Sequence, residues 1–411
     1  MIDANRGISN RLLATQVLAG FAQWIDVFLI FSIPSFLWKS TPEDIALVAA
    51  CFGLSSLFLG PFIGVLVDRV DPRRMAFLGA MGRTIFSLCI AFAPSFVIFL
   101  IFVVLKGIAN TCYWPSTSIL TNRFIKEYDR VKYYSSLGAM DQITKVMTPM
   151  VAGAMIYWFS SQKIFLVSAL ATLLCANFIY RFPEINGGAK KLTKKTSSIF
   201  GDLLFGFRSI GNLPRKLIVT ISLSIGMSLT LAIYDPHLAS FLNWLNLGPT
   251  SFSTILASTA CGVISGATVI RFFWVRANPE MLVKLGICIF AFALVSFLCL
   301  FFYNKNHVGL ISMAIFWFLN GMGYEIFAMG CGVNMQNSCP PDLLGRITTT
   351  ARSLQMLAVV SGPIFGAYLI ELSSRLAPFV FSGALSMVLL LLSVAVLTQN
   401  RTRNFVRNEL R

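Results

Sequence analysis

Long apolar stretches alternate with short polar breaks along the whole chain. Each stretch is about 20 residues long, which is the length that an α-helix needs to cross the hydrocarbon core of a bilayer. Lipid satisfies no backbone hydrogen bonds and barrel strands would be only about ten residues long, so we predict helices. Twelve spans are predicted, at residues 11–37, 45–67, 75–93, 96–120, 133–158, 164–182, 217–242, 252–275, 281–303, 308–334, 347–371 and 376–398.

Composition indicates a membrane protein without a separate soluble domain. Of the 411 residues, 56% are hydrophobic and 12% are charged, whereas a soluble domain is about 45–50% apolar and about 25% charged. The first span contains Asp26 and no small-residue cleavage site follows it, so we interpret it as a retained helix. The 9 cysteines are scattered singly and are interpreted as packing residues; neither a metal site nor a cofactor is predicted.

Basic residues are distributed unevenly between the two sides of the predicted membrane. Most of the 33 Lys and Arg lie at the termini and in alternate loops, and the opposite loops contain only Lys39, Lys163, Lys305 and Arg375. This positive-inside pattern predicts that both termini are cytoplasmic. The net charge of +16 then reflects topology and anionic lipid at the inner face. We predict no nucleic-acid partner, because no solvated basic domain is available to bind one.

The longest polar break divides the chain into two similar halves. We predict an N-terminal six-helix bundle at 1–182, a cytoplasmic linker with a short amphipathic helix at 183–214, and a C-terminal six-helix bundle with a basic cytoplasmic tail at 215–411. The segment around Pro149 in span five recurs around Pro363 in span eleven. Two parallel repeats of this kind are typical of transporters that hold a substrate midway between the repeats.

The break after span two carries a specific motif, Gly64-Val65-Leu66-Val67-Asp68-Arg69-Val70-Asp71-Pro72-Arg73-Arg74. It resembles the signature loop between helices 2 and 3 of the major facilitator superfamily. Asp71 stands where the superfamily commonly has Gly, and this variant resembles the branch of enterobactin-type siderophore exporters and macrolide efflux pumps. The segment 336–346 also resembles that branch. The resemblance implies an all-α fold of twelve transmembrane helices in two pseudo-symmetric bundles.

A conformational gate is implied at the cytoplasmic side. Asp68 at a helix end can pair with neighbouring Arg residues and with the positive N-terminus of a helix from the other half, a contact specific to one state. Alternatively, the loop is a turn that Pro72 keeps short. Gly362 and Pro363 predict a bent, closely packed span eleven. The residues assigned to the gate are Gly64, Asp68, Arg69, Arg73, Arg74, Arg83, Asp141, Arg352, Pro149, Gly362 and Pro363.

Ionisable residues within spans require a partner, a cavity or a function, because each costs about 2.5–3.5 kcal/mol at the bilayer centre. Asp26 is the predicted proton-binding residue, since desolvation disfavours its charged form and no basic residue lies within one turn on its helix. The alternative is a carboxylate permanently paired with Lys106. The residues assigned to substrate or coupling are Asp26, Lys106, Lys145, Asp235, His237, Glu325, Trp24, Trp114, Tyr113, Trp317 and Tyr324.

Several of these assignments have structural alternatives. Asp141 and Lys145, one turn apart, form either an intrahelical ion pair or part of a site. The segment 234–237 contains Pro236, which should break the helix; it is either a proton site or outer gate, or a simple kink. The aromatic residues either stack on an amphiphilic substrate or belong to the interfacial belt.

The sequence therefore predicts a secondary transporter and not an enzyme. We expect proton-coupled efflux of a small amphiphilic or anionic compound, a siderophore or a drug, by alternating access. The alternative is an importer of an anionic metabolite or iron-siderophore. The expected partners are the substrate, protons and the lipid bilayer, and the protein is expected to be a monomer in the bacterial inner membrane. No Walker-type phosphate loop is present in the sequence.

Overall fold

The computed structural model describes residues 2–53, 70–125, 127–183, 214–273, 278–303, 309–338 and 341–409, and their regular structure is helical throughout. The linker prediction at 183–214 and the gate residues Gly64, Asp68 and Arg69 fall almost entirely outside these ranges. The α-helices are α1 (Ile2–Ser32), α2 (42–53), α3 (Pro72–Ala91), α4 (Phe96–Phe124), α5 (Glu127–Met155), α6 (Phe165–Tyr180), α7 (Arg215–Tyr234), α8 (Leu238–Trp244), α9 (Pro249–Phe273), α10 (Pro279–Tyr303), α11 (Leu310–Ser338), α12 (Pro341–Leu372) and α13 (Ala377–Glu409).

The described helices confirm the predicted all-α membrane fold. Among the described residues, 10 helices are long and apolar enough to cross a bilayer. The other two predicted spans are at α2, which the structure describes only to residue 53, and at α5, a 29-residue helix that contains Asp141 and Lys145. The length of the apolar stretches therefore predicted where the described spans lie.

Helix ends differ from the predicted span ends. Helix α1 begins at Ile2, nine positions before the predicted start at Arg11, and α13 continues to Glu409. Hydropathy marks only the segment that lies in lipid, whereas a helix continues into water until its backbone groups find other partners. At α3 that partner is identifiable, since the Asp71 side chain accepts a hydrogen bond from the Arg73 backbone N–H at 3.0 Å and Pro72 occupies the first turn.

The chain divides into two compact units. The first comprises Met1–Lys195 with Leu242–Ala257, and the second comprises Thr196–Phe241 with Ser258–Arg411. In the first unit, α1, α3, α4 and α6 contribute to a core of small, aliphatic and aromatic side chains. These four helices hold the charged groups described below.

Close packing of the second unit depends on glycines. At Gly366 of α12, an added Cβ would lie 2.1 Å from the Ile233 carbonyl oxygen of α7. At Gly362, one turn earlier, it would lie 2.5 Å from the Ala232 Cβ. The predicted tight packing around Gly362 and Pro363 is therefore confirmed, with α7 as the neighbour.

Pro236 interrupts span seven, as predicted. Helix α7 ends at Tyr234, a 3₁₀ turn follows at Asp235–His237, and α8 continues from Leu238. The break leaves Asp235 exposed and His237 buried. Within the second unit, His237 Nε2 donates a hydrogen bond to the Pro363 carbonyl oxygen at 2.9 Å.

Candidate functional site

The first unit contains a buried ion pair between α1 and α4. Lys106 Nζ lies 2.5 Å from Asp26 Oδ1, and both residues are only 4% exposed. Asp26 lies in the central part of the membrane-spanning segment Gly7–Leu37, and Lys106 lies in the central part of Phe96–Thr121. Each charge compensates the other in a setting where an unpaired one would be costly.

Two serines complete the environment of the pair. Lys106 Nζ also donates to Ser87 Oγ of α3 at 2.5 Å and to Ser168 Oγ of α6 at 3.3 Å. Ser168 Oγ in turn donates to Asp26 Oδ1 at 2.7 Å. The ammonium group therefore has three hydrogen-bond acceptors from three helices, and Asp26 Oδ1 accepts from two donors.

Arg83 anchors the neighbouring part of α3. Its side chain is 1% exposed, its Nη2 donates to the Ala19 carbonyl oxygen at 3.0 Å, and its guanidinium lies 5.2 Å from the Tyr113 ring centroid. Tyr113 is fully buried and donates to the Thr15 carbonyl oxygen at 3.2 Å. Arg83 thus binds α1 and α4 together.

A cavity of about 390 Å³ lies beside α1 in the same unit. Its polar lining comes from α1, α4 and α5 and includes Gln16, Trp114, Asp141 and Thr144. Trp114 Nε1 donates to Gln23 Oε1 at 2.9 Å, which fixes the indole at the cavity wall. The volume is within the usual range for small-molecule sites, about 300–1,000 Å³.

Trp24 lies between the two charges of α5. Its Nε1 donates to Asp141 Oδ1 at 3.4 Å, and Lys145 Nζ lies 5.0 Å from its ring centroid. The described residues contain no ion pair between Asp141 and Lys145, the pairing that helical spacing allows. The structure therefore brings Trp24, Asp141 and Lys145 together through the indole.

In the second unit, the candidate aromatic residues lie mainly in the core. Trp317 is 4% exposed, and its ring centroid lies 5.2 Å from that of Phe297. Tyr234 is fully buried and donates to Asn320 Oδ1 at 3.0 Å. Tyr324 packs beside Phe290, with ring centroids 6.4 Å apart. Glu325 is half-buried on α11, next to Gly266 of α9.

The gate residues that the structure describes lie on different helices. Arg73 Nη2 donates to the Tyr180 carbonyl oxygen at 2.5 Å, which ties the start of α3 to the end of α6. Arg74 is exposed, and Pro149 is buried within α5. Arg352 belongs to α12, but its side chain is outside the described part of the chain. None of these contacts tests a latch between the two halves.

Sequence reasoning missed the serines and glutamines of this site. Ser87, Ser168 and Gln23 contribute polar atoms from three helices, yet none stands out in a hydrophobic span. The available signal was weak, since serine is common in buried helix faces and back-bonds to its own helix. The contacts became visible only with the packing of α1 and of α3 against α4 and α6.

Comparison with known proteins gives a consistent family. The sequence model of the family described as Major Facilitator Superfamily matches residues 12–289 of this chain. The MFS-type transporter YfiS of Bacillus subtilis (strain 168) is 20% identical over 386 residues, covering 93% of this chain and 91% of YfiS. The quinolone resistance protein NorA of Staphylococcus aureus (strain MSSA476) is 22% identical over 264 residues, covering 62% of this chain and 66% of NorA.

Solved structures share the fold at low sequence identity. A variant of the nucleoside transporter NupG superposes with a TM-score of 0.79 at 14% identity, covering 94% of this chain and 99% of NupG. A variant of the peptide transporter POT gives 0.74 at 15% identity, covering 97% and 94%. The family match covers more than half of the sequence and the fold agrees with it, so this multi-pass membrane protein belongs to the major facilitator superfamily.

Proposed function

We propose that this protein is a proton-coupled exporter of a small amphiphilic compound, with Asp26 as the proton-binding residue and Lys106 as its counter-charge. The observation that carries the proposal is the buried pair, because charges within a membrane span are costly and are retained mainly where they have a function. The 390 Å³ cavity of the same unit, which Asp26 and Lys106 do not line, offers Trp114 and Asp141 to such a substrate. The likeness to NorA, a quinolone resistance protein, agrees with efflux of a drug-like compound.

Charge balance at the pair suggests how a proton can drive exchange. With Asp26 ionised, the pair has no net charge; protonation leaves the ammonium of Lys106 and a net charge of +1. A positive site repels an amphiphilic cation, so proton uptake favours its release and proton loss favours its binding. One inward proton at 100 mV supplies about 2.3 kcal/mol, enough to maintain a useful substrate gradient.

The same chemistry supports a second candidate, an importer of an anionic compound. An anion would be attracted by the ammonium group of Lys106 once Asp26 is protonated, so proton and substrate would bind together. Lys145 beside Trp24 would add a second positive group to the same unit. The direction of coupled proton movement separates the two candidates.

Proteoliposomes test both candidates. An imposed pH gradient should drive transport of a fluorescent amphiphilic cation, such as ethidium, against protons, with no coupled movement of citrate. Asp26→Asn should abolish the pH dependence, whereas Glu371→Gln, which removes an exposed carboxylate of α12, should retain it. Citrate moving together with protons would favour the importer. Unchanged proton coupling in Asp26→Asn would remove Asp26 from the mechanism.

We also propose the finer placement implied by the sequence. Both termini are cytoplasmic, the membrane is a bacterial inner membrane, and the transporter acts as a monomer. The opposite loops hold only four basic residues, Lys39, Lys163, Lys305 and Arg375, which supports this orientation. Cysteine-accessibility labelling of Arg74→Cys, an exposed position at the start of α3, should occur from the cytoplasmic side.

A further inference from the structure

A second, much smaller cavity adjoins the Asp26–Lys106 pair. The volume open to the centre of a water-sized sphere is about 10 Å³, which is at the lower limit of about 10–15 Å³ that one buried water needs by this measure. Its polar lining consists of Gln23 and Asp26 of α1, Arg83 of α3, and Lys106 and Asn110 of α4. The space is too small for an organic substrate, so water is the ligand that fits its size and polarity.

Two buried polar atoms in this lining have no hydrogen-bond partner among the described residues. They are Arg83 Nη1, a donor, and Asn110 Oδ1, an acceptor. Leaving a donor or acceptor unpaired in a protein interior is costly, and internal water is the usual remedy. A single water can accept from Arg83 and donate to Asn110 at the same time.

One hydrogen bond joins the lining of the small cavity to the lining of the 390 Å³ cavity. Gln23 lines the small cavity and Trp114 lines the large one. Trp114 Nε1 donates to Gln23 Oε1 at 2.9 Å. Gln23 lies three residues before Asp26 on α1, so this bond connects the surroundings of Asp26 to the large cavity.

We propose that the small cavity is a water site and that this water is the last carrier on the proton path to Asp26, with the Gln23–Trp114 hydrogen bond as the barrier along the path. The second part rests on the proposed function, whereas the water site does not. In the transfer, the water gives one proton to a carboxylate oxygen of Asp26 and takes a replacement from the next water in the large cavity. Among the described residues, the charged groups that face Asp26 are Lys106 from α4 and Arg83 from α3, and α6 contributes the hydroxyl of Ser168.

Radiolytic footprinting tests the water site without any transport assay. X-ray pulses convert bound water into hydroxyl radicals that oxidise adjoining side chains, which mass spectrometry then locates. Val103 lines the small cavity and is 1% exposed, and Leu120 on the same helix is fully buried away from it. We expect Val103 to be oxidised more strongly than Leu120, because only Val103 adjoins the proposed water. Asn110→Leu should remove the difference, and equal oxidation in the unmodified protein would overturn the water site.

Two variants of the barrier should change proton entry in opposite directions. Trp114→Phe keeps an aromatic ring but removes the donor to Gln23, so acidification of the vesicle interior after an external pH drop should accelerate by about fivefold, the effect of one lost hydrogen bond. Gln23→Leu places an apolar group in the path and should slow acidification. Trp158→Phe, at a 76% exposed position, is the matched control and should change nothing.

The outcomes separate this inference from the proposed function. Equal acidification rates in Trp114→Phe and Gln23→Leu would overturn the barrier, and a folding defect would shift both in the same direction. If Val103 is oxidised but Asp26→Asn retains normal proton coupling, the water site stands and the proton-coupling proposal fails. If Val103 is not oxidised while Asp26→Asn loses coupling, the proton-coupling proposal stands and the water site fails.

Discussion

At the residue scale, Lys106 is the residue whose removal should cost the first unit most. Its ammonium group has three hydrogen-bond acceptors and almost no contact with solvent. A buried pair contributes little net stability compared with an apolar replacement of both partners, because desolvation offsets the attraction. Loss of one partner is different, since the remaining charge keeps its desolvation cost without compensation.

We therefore predict that Lys106→Met lowers the free energy of unfolding by about 3–5 kcal/mol. The double variant Asp26→Leu with Lys106→Met should recover most of this loss, because no charge then remains buried. Thermal unfolding in detergent, followed by circular dichroism, measures the difference. Equal melting temperatures for the single and double variants would show that groups other than Lys106 stabilise the buried charge of Asp26.

Ser168 offers a milder test of the same network. Ser168→Ala removes the donor to Asp26 Oδ1 and an acceptor of Lys106, and hydrogen bonds to charged groups contribute about 1.5–3 kcal/mol. Ser393→Ala is the matched control, because Ser393 is fully buried but bonds only to the Leu390 carbonyl oxygen of its own helix. Only the first variant should lower the melting temperature in detergent by several degrees. A comparable shift of the melting temperature in both variants would show that the effect comes from loss of a buried hydroxyl and not from the hydrogen bonds to Asp26 and Lys106.

Part of this site could be predicted at the residue scale and part could not. Asp26 and Lys106 stand out because charge is rare in spans, and their pairing was one of two open alternatives. The roles of Ser87 and Ser168 depend on which faces of α3 and α6 meet α1 and α4. A single sequence contains no information on such contacts between distant positions.

At the element scale, glycines decide how closely helices approach. Gly366 of α12 faces the backbone of α7, where an added Cβ would lie 2.1 Å from the Ile233 carbonyl oxygen. Gly332 of α11 is also helical, but an added Cβ there would meet nothing within 4 Å. The two positions share backbone conformation and differ in surroundings, which makes them a matched pair.

Gly366→Ala should therefore destabilise the protein by about 1–3 kcal/mol, because α7 and α12 must move apart. Gly332→Ala should be neutral or stabilising by up to about 1 kcal/mol, since alanine has the higher helix propensity. Melting temperatures of the two variants in the same detergent provide the measurement. Destabilisation of both by the same amount would point to a general effect of substitution in these helices.

Helix ends were less predictable than helix centres. The start of α12 at Pro341 lies before the predicted start at Ile347, because the charged residues Asp342 and Arg346 lower the hydropathy of its first turns. At α3 the predicted span begins at Met75, three residues after the helix start at Pro72, where the Asp71 carboxylate accepts a hydrogen bond from the Arg73 N–H. Hydropathy does not detect this capping interaction.

At the scale of the whole molecule, the two units carry corresponding but chemically different pairs. In the register that aligns Pro149 with Pro363, α4 corresponds to α11 and α6 to α13. In this register, which is an offset of 214 positions, Lys106 corresponds to Asn320 and Ser168 to Ser382. For α1 and α7 an offset of 208 positions, six fewer, places Ala22 opposite Thr230 and Asp26 opposite Tyr234.

The contacts of these residues match as well. Tyr234 donates to Asn320 Oδ1 at 3.0 Å, where the first unit has its ion pair at 2.5 Å. Ser382 Oγ donates to the Thr230 carbonyl oxygen at 2.9 Å, and Ser168 Oγ lies 3.5 Å from that of Ala22. The repeat therefore has a titratable pair in one unit and a neutral pair in the other. This correspondence was not predictable, because it rests on contacts within each unit.

We predict that only the first of these pairs affects proton coupling. Tyr234→Phe removes the hydrogen bond to Asn320 and should lower stability by about 1 kcal/mol while coupling persists. Asp26→Asn, at the corresponding position, should abolish coupling. Substrate-driven pH changes in proteoliposomes measure both. Loss of coupling in Tyr234→Phe at unchanged expression would assign the second unit a direct part in proton transfer.

The 80 residues that separate Asp26 from Lys106 also matter for biogenesis. During translation, α1 enters the membrane before α4 has been synthesised, so a carboxyl group arrives at mid-depth without its ammonium partner. Insertion scales assign about 2.5–3.5 kcal/mol to such a group. The first helix must therefore stay at the translocon, or enter with Asp26 protonated, until the fourth helix leaves the ribosome. Nascent chains arrested before Lys106 should insert their first helix less completely than chains arrested after it.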